Sequence, residues 1–300
     1  WADTPQTRRE KLMPFFWSTI NTEGQIYGNV RKGGAVTLAN PHGFSYPGFS
    51  EMLVGYVDST RDSNDRENNP NVTILEYVHN QPGFRGKVAA FCSWDVFDFI
   101  INEERSGILV NSGMEPFEGK YNGPKIGLLN EIMFQIPVPW KSVRYDAITH
   151  HFAMDYLKQH KPKLLYIAYD ETDEYAHEGK YDQYLIATNL LDEYIAELWN
   201  WTQKNYHYKN KTTILITTDH GRGHETIDAW RNHGSLVTGA EHVWMAVLGP
   251  DTPPMGEVLD NEPMTSSQVA ATIGAFLGFE YSNEQPVGPV MNSMFYDTKR

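Results

Sequence analysis

The chain has 300 residues, 40% of them hydrophobic and 13% aromatic, enough to bury a sizeable core and too apolar for a disordered segment. Its 25 basic and 38 acidic residues leave a formal net charge of −13, which repels polyanions and excludes a nucleic acid polymer as partner. A small anionic substrate is still compatible if metal ions reverse the field inside one cleft. Cys92 is the only cysteine, so an intrachain disulfide and a thiolate cluster are excluded. No apolar run is long enough for a membrane span, and no signal peptide is recognisable ahead of the first elements.

In chain order, a short apolar run predicts a strand over Val36–Ala39, followed by a helix entered near Ser45 and closed by Gly55. Pro47 suits the first turn of that helix. The polar, turn-rich stretch Asp58–Asn71 predicts a long loop. Further strands are expected over Lys87–Ser93, Leu164–Tyr169, Thr212–Thr217 and Val243–Leu248, each continuously apolar as strands buried on both faces are. Cys92 falls in the second of these and reads as a small core residue. Helical spacing of apolar residues marks Ile148–Lys158, Tyr181–Trp201 and Ser267–Leu277. Strands alternating with helices predict an α/β fold, a sheet covered on both faces by helices, over a single domain spanning residues 1–300.

Three constellations carry chemistry. The run ending at Thr217 leads directly to Asp219–His220–Gly221, and Leu164–Tyr169 leads to a segment holding Asp173 and His177, four residues apart. Carboxylate and imidazole are the ligand types of zinc and related divalent ions, and ligands in open α/β sheets gather at the carboxyl ends of strands. Either pair alone reads equally well as a solvated loop; two such pairs at strand ends point to metal. Ser45, at a helix entrance where backbone N–H groups and the helix dipole attract an anion, is either the helix cap or a nucleophile. A serine needs a base or a metal to become nucleophilic, and two divalent ions roughly 4 Å apart supply that activation. Ser50, inside the same helix, is the weaker candidate.

Ser45, Pro47 and Gly55, then Asp173 and His177, then Asp219–His220–Gly221, resemble in order the nucleophile and metal motifs of the alkaline phosphatase superfamily, in its nucleotide pyrophosphatase/phosphodiesterase-like branch. The resemblance implies a three-layer α/β sandwich with a mostly parallel central sheet. It implies two divalent metal ions, zinc first and manganese second, and a phosphoserine intermediate on Ser45. One ion takes Asp173, His177 and a later histidine; the other takes Asp219, His220 and an Asp from an N-terminal strand. For the later histidine, His233 resembles the His-Gly of the phosphodiesterase branch, while His242 stands before a strand as in the phosphomutases. His233 is preferred, and His224 reads as a loop residue.

The chain departs from the pattern at its front, where the only Asp before Ser45 is Asp3. We expect the N-terminal strand and its metal-binding Asp to be missing from this sequence. A sulfatase is disfavoured because Phe49 occupies the position of the sulfatase motif's arginine. Besides a phosphatase or phosphodiesterase, the motifs fit a phosphomutase-type relative or a non-catalytic metal-binding homologue. Asn64 is a candidate for a phosphate oxygen, with Asn68 and Asn111 behind it. The substrate is expected to be a small phosphate ester, and the resemblance implies an exported protein.

Overall fold

The computed structural model describes residues 2–118, 124–259 and 261–296. Among these, ten strands form in chain order: β1 (Gln25–Tyr27), β2 (Val36–Thr37), β3 (Val88–Cys92), β4 (Leu109–Ser112), β5 (Leu164–Ala168), β6 (Ile214–Thr217), β7 (His242–Val243), β8 (Met245–Leu248), β9 (Gly256–Glu257) and β10 (Met264–Thr265). The chain divides into two compact units, one of residues 1–62 with 176–300 and one of residues 63–175.

In the first unit, β6, β8, β1 and β9 form one sheet and β10, β2 and β7 another. Alternation along β8 explains why its sequence is apolar throughout. Met245 and Val247 enter a core with Tyr27, Val36, Met52, Val269 and Met294. Ala246 and Leu248 point the other way, into a core with Phe16, Ile20, Ile26 and Ile195. Successive side chains of a strand face opposite sides, so a strand with a core on each face reads as a continuous apolar run. Met52 comes from the helix Ser45–Val54, Val269 from the helix Val269–Phe276 and Ile195 from the helix Tyr181–Lys204. These helices match the sequence expectation to within a few residues; the start of the Ser267–Leu277 segment falls in a 3₁₀ turn, Ser266–Gln268.

The expected strand Val243–Leu248 is broken. Its first part pairs with β2 and its second with β1 and β6, so one apolar run serves two sheets and changes over at Trp244. The hydroxyl of Thr217 donates to the Trp244 carbonyl over 2.8 Å, satisfying a group that the change of sheet leaves outside both ladders. Parallel pairing joins β1 to β9 and β10 to β2, whereas β8 runs antiparallel to both of its neighbours.

In the second unit, β4, β3 and β5 form a wholly parallel sheet, with Cys92 at the buried end of β3. Phe91 packs with Phe117, Phe152 and Tyr156 on one face. Asp58–Asn71 is irregular, as its composition predicts. The sequence gives no sign of the buried Arg144, which donates to the Thr149 hydroxyl over 2.8 Å and to the Asn111 side-chain oxygen over 2.7 Å. Asn111 is therefore a buried strand residue holding an arginine, not the turn residue its neighbours suggest.

Two helix entrances in this unit secure each other. Asp146 opens the helix Asp146–His160 and accepts from the backbone N–H groups of Asp170 and Glu171 over 2.8 and 3.1 Å. Glu171, which opens the helix Glu171–His177, accepts in return from the Asp146 N–H over 2.8 Å. Each carboxylate thus satisfies orphan donors of the other helix. Burial holds both carboxyls above their usual range, and for Glu171 the Asp146 charge adds to it. An acid raised in the folded state stabilises fully below its unfolded pKa, near 4, and loses that contribution as pH rises through the folded value. Stability is therefore expected to fall as pH rises from ~4 to ~7.5, with a flatter slope in Asp146→Asn, which cannot ionise. Urea midpoints across that range check this; equal slopes in the two proteins contradict it.

Candidate metal centre

Ser45 is the first residue of its helix rather than the residue before it. Phe44 occupies the N-cap with no side-chain capping bond, so Ser45 does not serve as the cap. Gly55 ends the helix in the left-handed conformation expected of it, with φ of 89°. The helix sits hard against the segment after β6: a Cβ on Gly48 would stand 2.2 Å from the carbonyl oxygen of Asp219. Only glycine permits that approach, which brings the Ser45 helix onto the loop that carries Asp219 and His220. Gly221 is constrained in the same way, since a Cβ there would lie 2.1 Å from the His242 carbonyl. Its role is close approach to neighbouring backbone.

From the Ser45 hydroxyl the first unit lines up three imidazoles in series, His220, His233 and His177. His220 is buried, with Nε2 3.5 Å from Ser45 Oγ and 3.3 Å from Asp219 Oδ2. The His233 ring stacks on it with centroids 3.9 Å apart and planes 20° from parallel. His177 comes to within 2.9 Å of His233 Nε2 through its own Nε2. Of the two candidate later histidines, it is thus His233 that lies beside His177. His242 lies in β7, with Nε2 3.5 Å from its neighbour Glu241. His224 packs its ring against Gly239.

The backbone decides which nitrogen of each ring faces inward. His233 Nδ1 is 3.1 Å from the carbonyl of Gly43, and His220 Nδ1 is 2.9 Å from the carbonyl of Gly221. A carbonyl can only accept, so both Nδ1 atoms carry hydrogen and both Nε2 atoms of the neutral rings present lone pairs. Those lone pairs point at His177 Nε2 in one case and at the Asp219 carboxylate in the other. The His177 Nε2 and the Ser45 hydroxyl can donate to these lone pairs, and a ring fixed through Nδ1 by a carbonyl, with its Nε2 lone pair turned inward, is also the usual state of a metal ligand. The donor set of imidazole and carboxylate fits zinc or manganese. Asp173 lies one turn before His177 on the helix Glu171–His177, so the two side chains share a helix face. Asn64 is an exposed residue of the irregular loop.

A residue with no part in the sequence expectation organises the approach to Ser45. Glu51, in the same helix, is 1% exposed, and its carboxylate takes four hydrogen bonds. The Ala39 N–H gives one to each oxygen, at 3.0 and 3.1 Å; the Asn40 N–H and the Asn40 side-chain amide give two more, at 2.9 and 2.8 Å. Asn40 in turn accepts from the His42 N–H over 3.0 Å, folding the turn that presents the Gly43 carbonyl to His233. The signal was the one charged residue in a helix that is otherwise uncharged, which demands a partner once buried.

Part of the chain is similar to a known family in sequence, and most of it is similar to solved structures in fold. Residues 141–280, which include Asp173, His177, Asp219, His220 and His233, match the sequence profile of the Metalloenzyme superfamily. The alkaline phosphatase PafA is similar in structure with a TM-score of 0.71 at 11% identity, the match covering 96% of each chain. Phosphonate monoester hydrolase SpPMH from Silicibacter pomeroyi gives 0.54 at 14% identity, over 96% of this chain and 73% of that one. BT1596, a 2-O GAG sulfatase, gives 0.58 at 11% identity, over 92% and 67%. No curated protein matches in sequence. The structural likenesses show an alkaline phosphatase-like α/β fold, and the profile match over residues 141–280 is to the Metalloenzyme superfamily. No helix among the described residues is long and apolar enough to cross a membrane.

Proposed function

We propose that the protein is a metal-dependent hydrolase of small phosphate esters, a phosphatase or phosphodiesterase, with Ser45 as nucleophile. The observation that carries this reading is the series of His220, His233 and His177 that starts at the Ser45 hydroxyl at a helix N-terminus. His177 and His233, with Asp173 of the same helix as His177, are the ligands for one divalent ion; Asp219 and His220 are those for a second. When bound, such ions supply positive charge that lowers the serine pKa and offsets charge on the ester oxygens.

The chain's own residues do the rest. The helix entrance favours an anion next to Ser45. Ser45 Oγ forms a bond to phosphorus as the bond to the leaving alcohol's oxygen breaks, and its proton passes to solvent. Water then attacks the phosphoserine, the Ser45–phosphorus bond breaks, and phosphate or its monoester leaves. The Gly43 and Gly221 carbonyls keep the imidazoles in one tautomer throughout. Export from the cell belongs to the same reading and rests on the family resemblance.

Zinc and manganese content after dialysis tests the metal assignment. His177→Ala and Asp219→Ala should each lose metal relative to wild type, with hydrolysis of para-nitrophenyl phosphate and its bis-ester falling in parallel. Unchanged metal content in both variants would sink the ligand assignment.

A further inference from the structure

The helix Tyr181–Lys204 ends in a loop that returns the chain to β6, and the loop's shape is set by its own bonds. Tyr208 is the anchor: it is buried, with its ring 5.7 Å from that of Trp201. The Asn205 carbonyl accepts from the Tyr208 and Lys209 N–H groups over 3.0 and 2.8 Å, and the Asn205 side-chain oxygen accepts from the His207 N–H over 2.9 Å. The Lys211 N–H donates to the Tyr208 carbonyl over 2.9 Å, and the Asn210 N–H to the Gln203 side-chain oxygen over 3.2 Å.

This framework holds Tyr206 outward, 94% exposed, among the exposed Lys204, Lys209 and Lys211. The Lys211 ammonium stands 5.8 Å from the Tyr206 ring centroid. Between residues 197 and 219 the sequence contains no Asp or Glu, in a chain whose net charge is −13. Among the described residues, none of the three lysines pairs with a carboxylate. Lys204 has a local reason to be there, since it closes a helix whose last carbonyls gather negative charge. The fold gives no such reason for Lys209, Lys211 or the exposed ring.

A ring with a polar tip, surrounded by ammonium groups on flexible apolar stems, is the side-chain set of a membrane interface. The ring sits at the level of the headgroups and the lysines meet lipid phosphates. A projecting tip suits a soft, flat surface, whereas a saccharide or peptide is gripped in a concavity, which a projecting ring does not offer. The chain's overall negative charge opposes an anionic bilayer, but that repulsion is screened beyond about 8 Å at physiological salt, so contact is confined to the loop.

We propose that the loop 205–211, with Lys204, docks the protein on the surface of a bilayer containing anionic lipid. Asp219 and His220 follow the opposite end of β6, so docking leaves them turned away from the lipid and open to a soluble substrate. The proposal does not depend on the phosphate-ester reading, and its test involves no turnover. Flotation is measured with phosphatidylcholine vesicles, with and without phosphatidylglycerol. Wild type is expected to float with the anionic vesicles alone and to be released by high salt. Each lysine at such a surface strengthens binding roughly fivefold, so the triple variant Lys204→Gln, Lys209→Gln, Lys211→Gln should bind on the order of 100-fold more weakly. Tyr206→Ala should weaken binding several-fold, and Tyr206→Phe should not. The triple variant Lys158→Gln, Lys161→Gln, Lys163→Gln removes the same charge from exposed positions of the other unit and should bind as wild type does. No flotation of wild type, equal binding to neutral vesicles, a loss shared by the second triple variant, or unchanged binding in the first triple variant or in Tyr206→Ala overturns the proposal. Wild type that binds immobilised heparin but not the vesicles also overturns it, and makes the loop a contact for an acidic polysaccharide.

Discussion

Ser45→Ala is expected to lower kcat for a phosphate ester by about 10³-fold or more, because it removes the hydroxyl that stands 3.5 Å from His220 Nε2 at the helix entrance. Ser50 lies further along the helix and is buried, so it offers no substitute. Stability gives the control. The N-cap is Phe44, without a side-chain capping bond, so removing the Ser45 hydroxyl should shift folding free energy by no more than ~0.5 kcal/mol. Ser45→Thr keeps a hydroxyl at the same helix position and should retain part of the activity. Acid quenching with a ³²P-labelled ester is expected to trap label on wild type and on Ser45→Thr, but not on Ser45→Ala. Turnover of Ser45→Ala close to the wild-type rate would remove Ser45 from the chemistry and leave a water molecule as the nucleophile.

The next largest effect is expected at Glu51. In Glu51→Gln, an oxygen in the place of Oε2 keeps the Asn40 donors, but the amide nitrogen then faces the Ala39 N–H that Oε1 accepts at 3.0 Å. The cost is about 1–3 kcal/mol for a buried donor left unpaired. The turn through Asn40 then loosens, and with it the Gly43 carbonyl that holds His233. Metal affinity should fall by roughly 10–100-fold, the range seen when partners of metal-ligating histidines are lost. Both the metal Kd and kcat are to be measured well below the variant's melting temperature, where the folded population is complete. A variant that melts earlier yet binds metal as wild type does would make Glu51 a support of the fold and nothing more. Ring-nitrogen NMR of His233 adds a direct reading, since Nδ1 should lose its fixed proton in Glu51→Gln.

Much of the fold was readable from the chain because it is written in local pattern. β3 and β8 are continuous apolar runs since each is buried along its whole length, and Gly55 marks a helix end since only a left-handed residue completes that cap. The strand ends of β5 and β6 lead into Asp173–His177 and Asp219–His220 as the alternation of strand and helix predicts. Trp244 shows where pattern stops: nothing in Val243–Leu248 distinguishes the part that pairs with β2 from the part that pairs with β1 and β6.

By itself the sequence determined the α/β class, the helix behind Ser45 and the identities of the candidate metal-ligating side chains, because each depends on periodicity or on residues a few positions apart. Tertiary structure alone decided that His233 rather than His242 stands beside His177, that Gly48 and Gly221 are glycines for lack of space, and that Glu51 holds the turn ahead of Ser45. Those choices rest on contacts such as the one from Gly43 to His233, 190 residues apart. A hydrogen bond between atoms so distant in the chain leaves no periodic trace, and it exists only once packing has closed the loop between them.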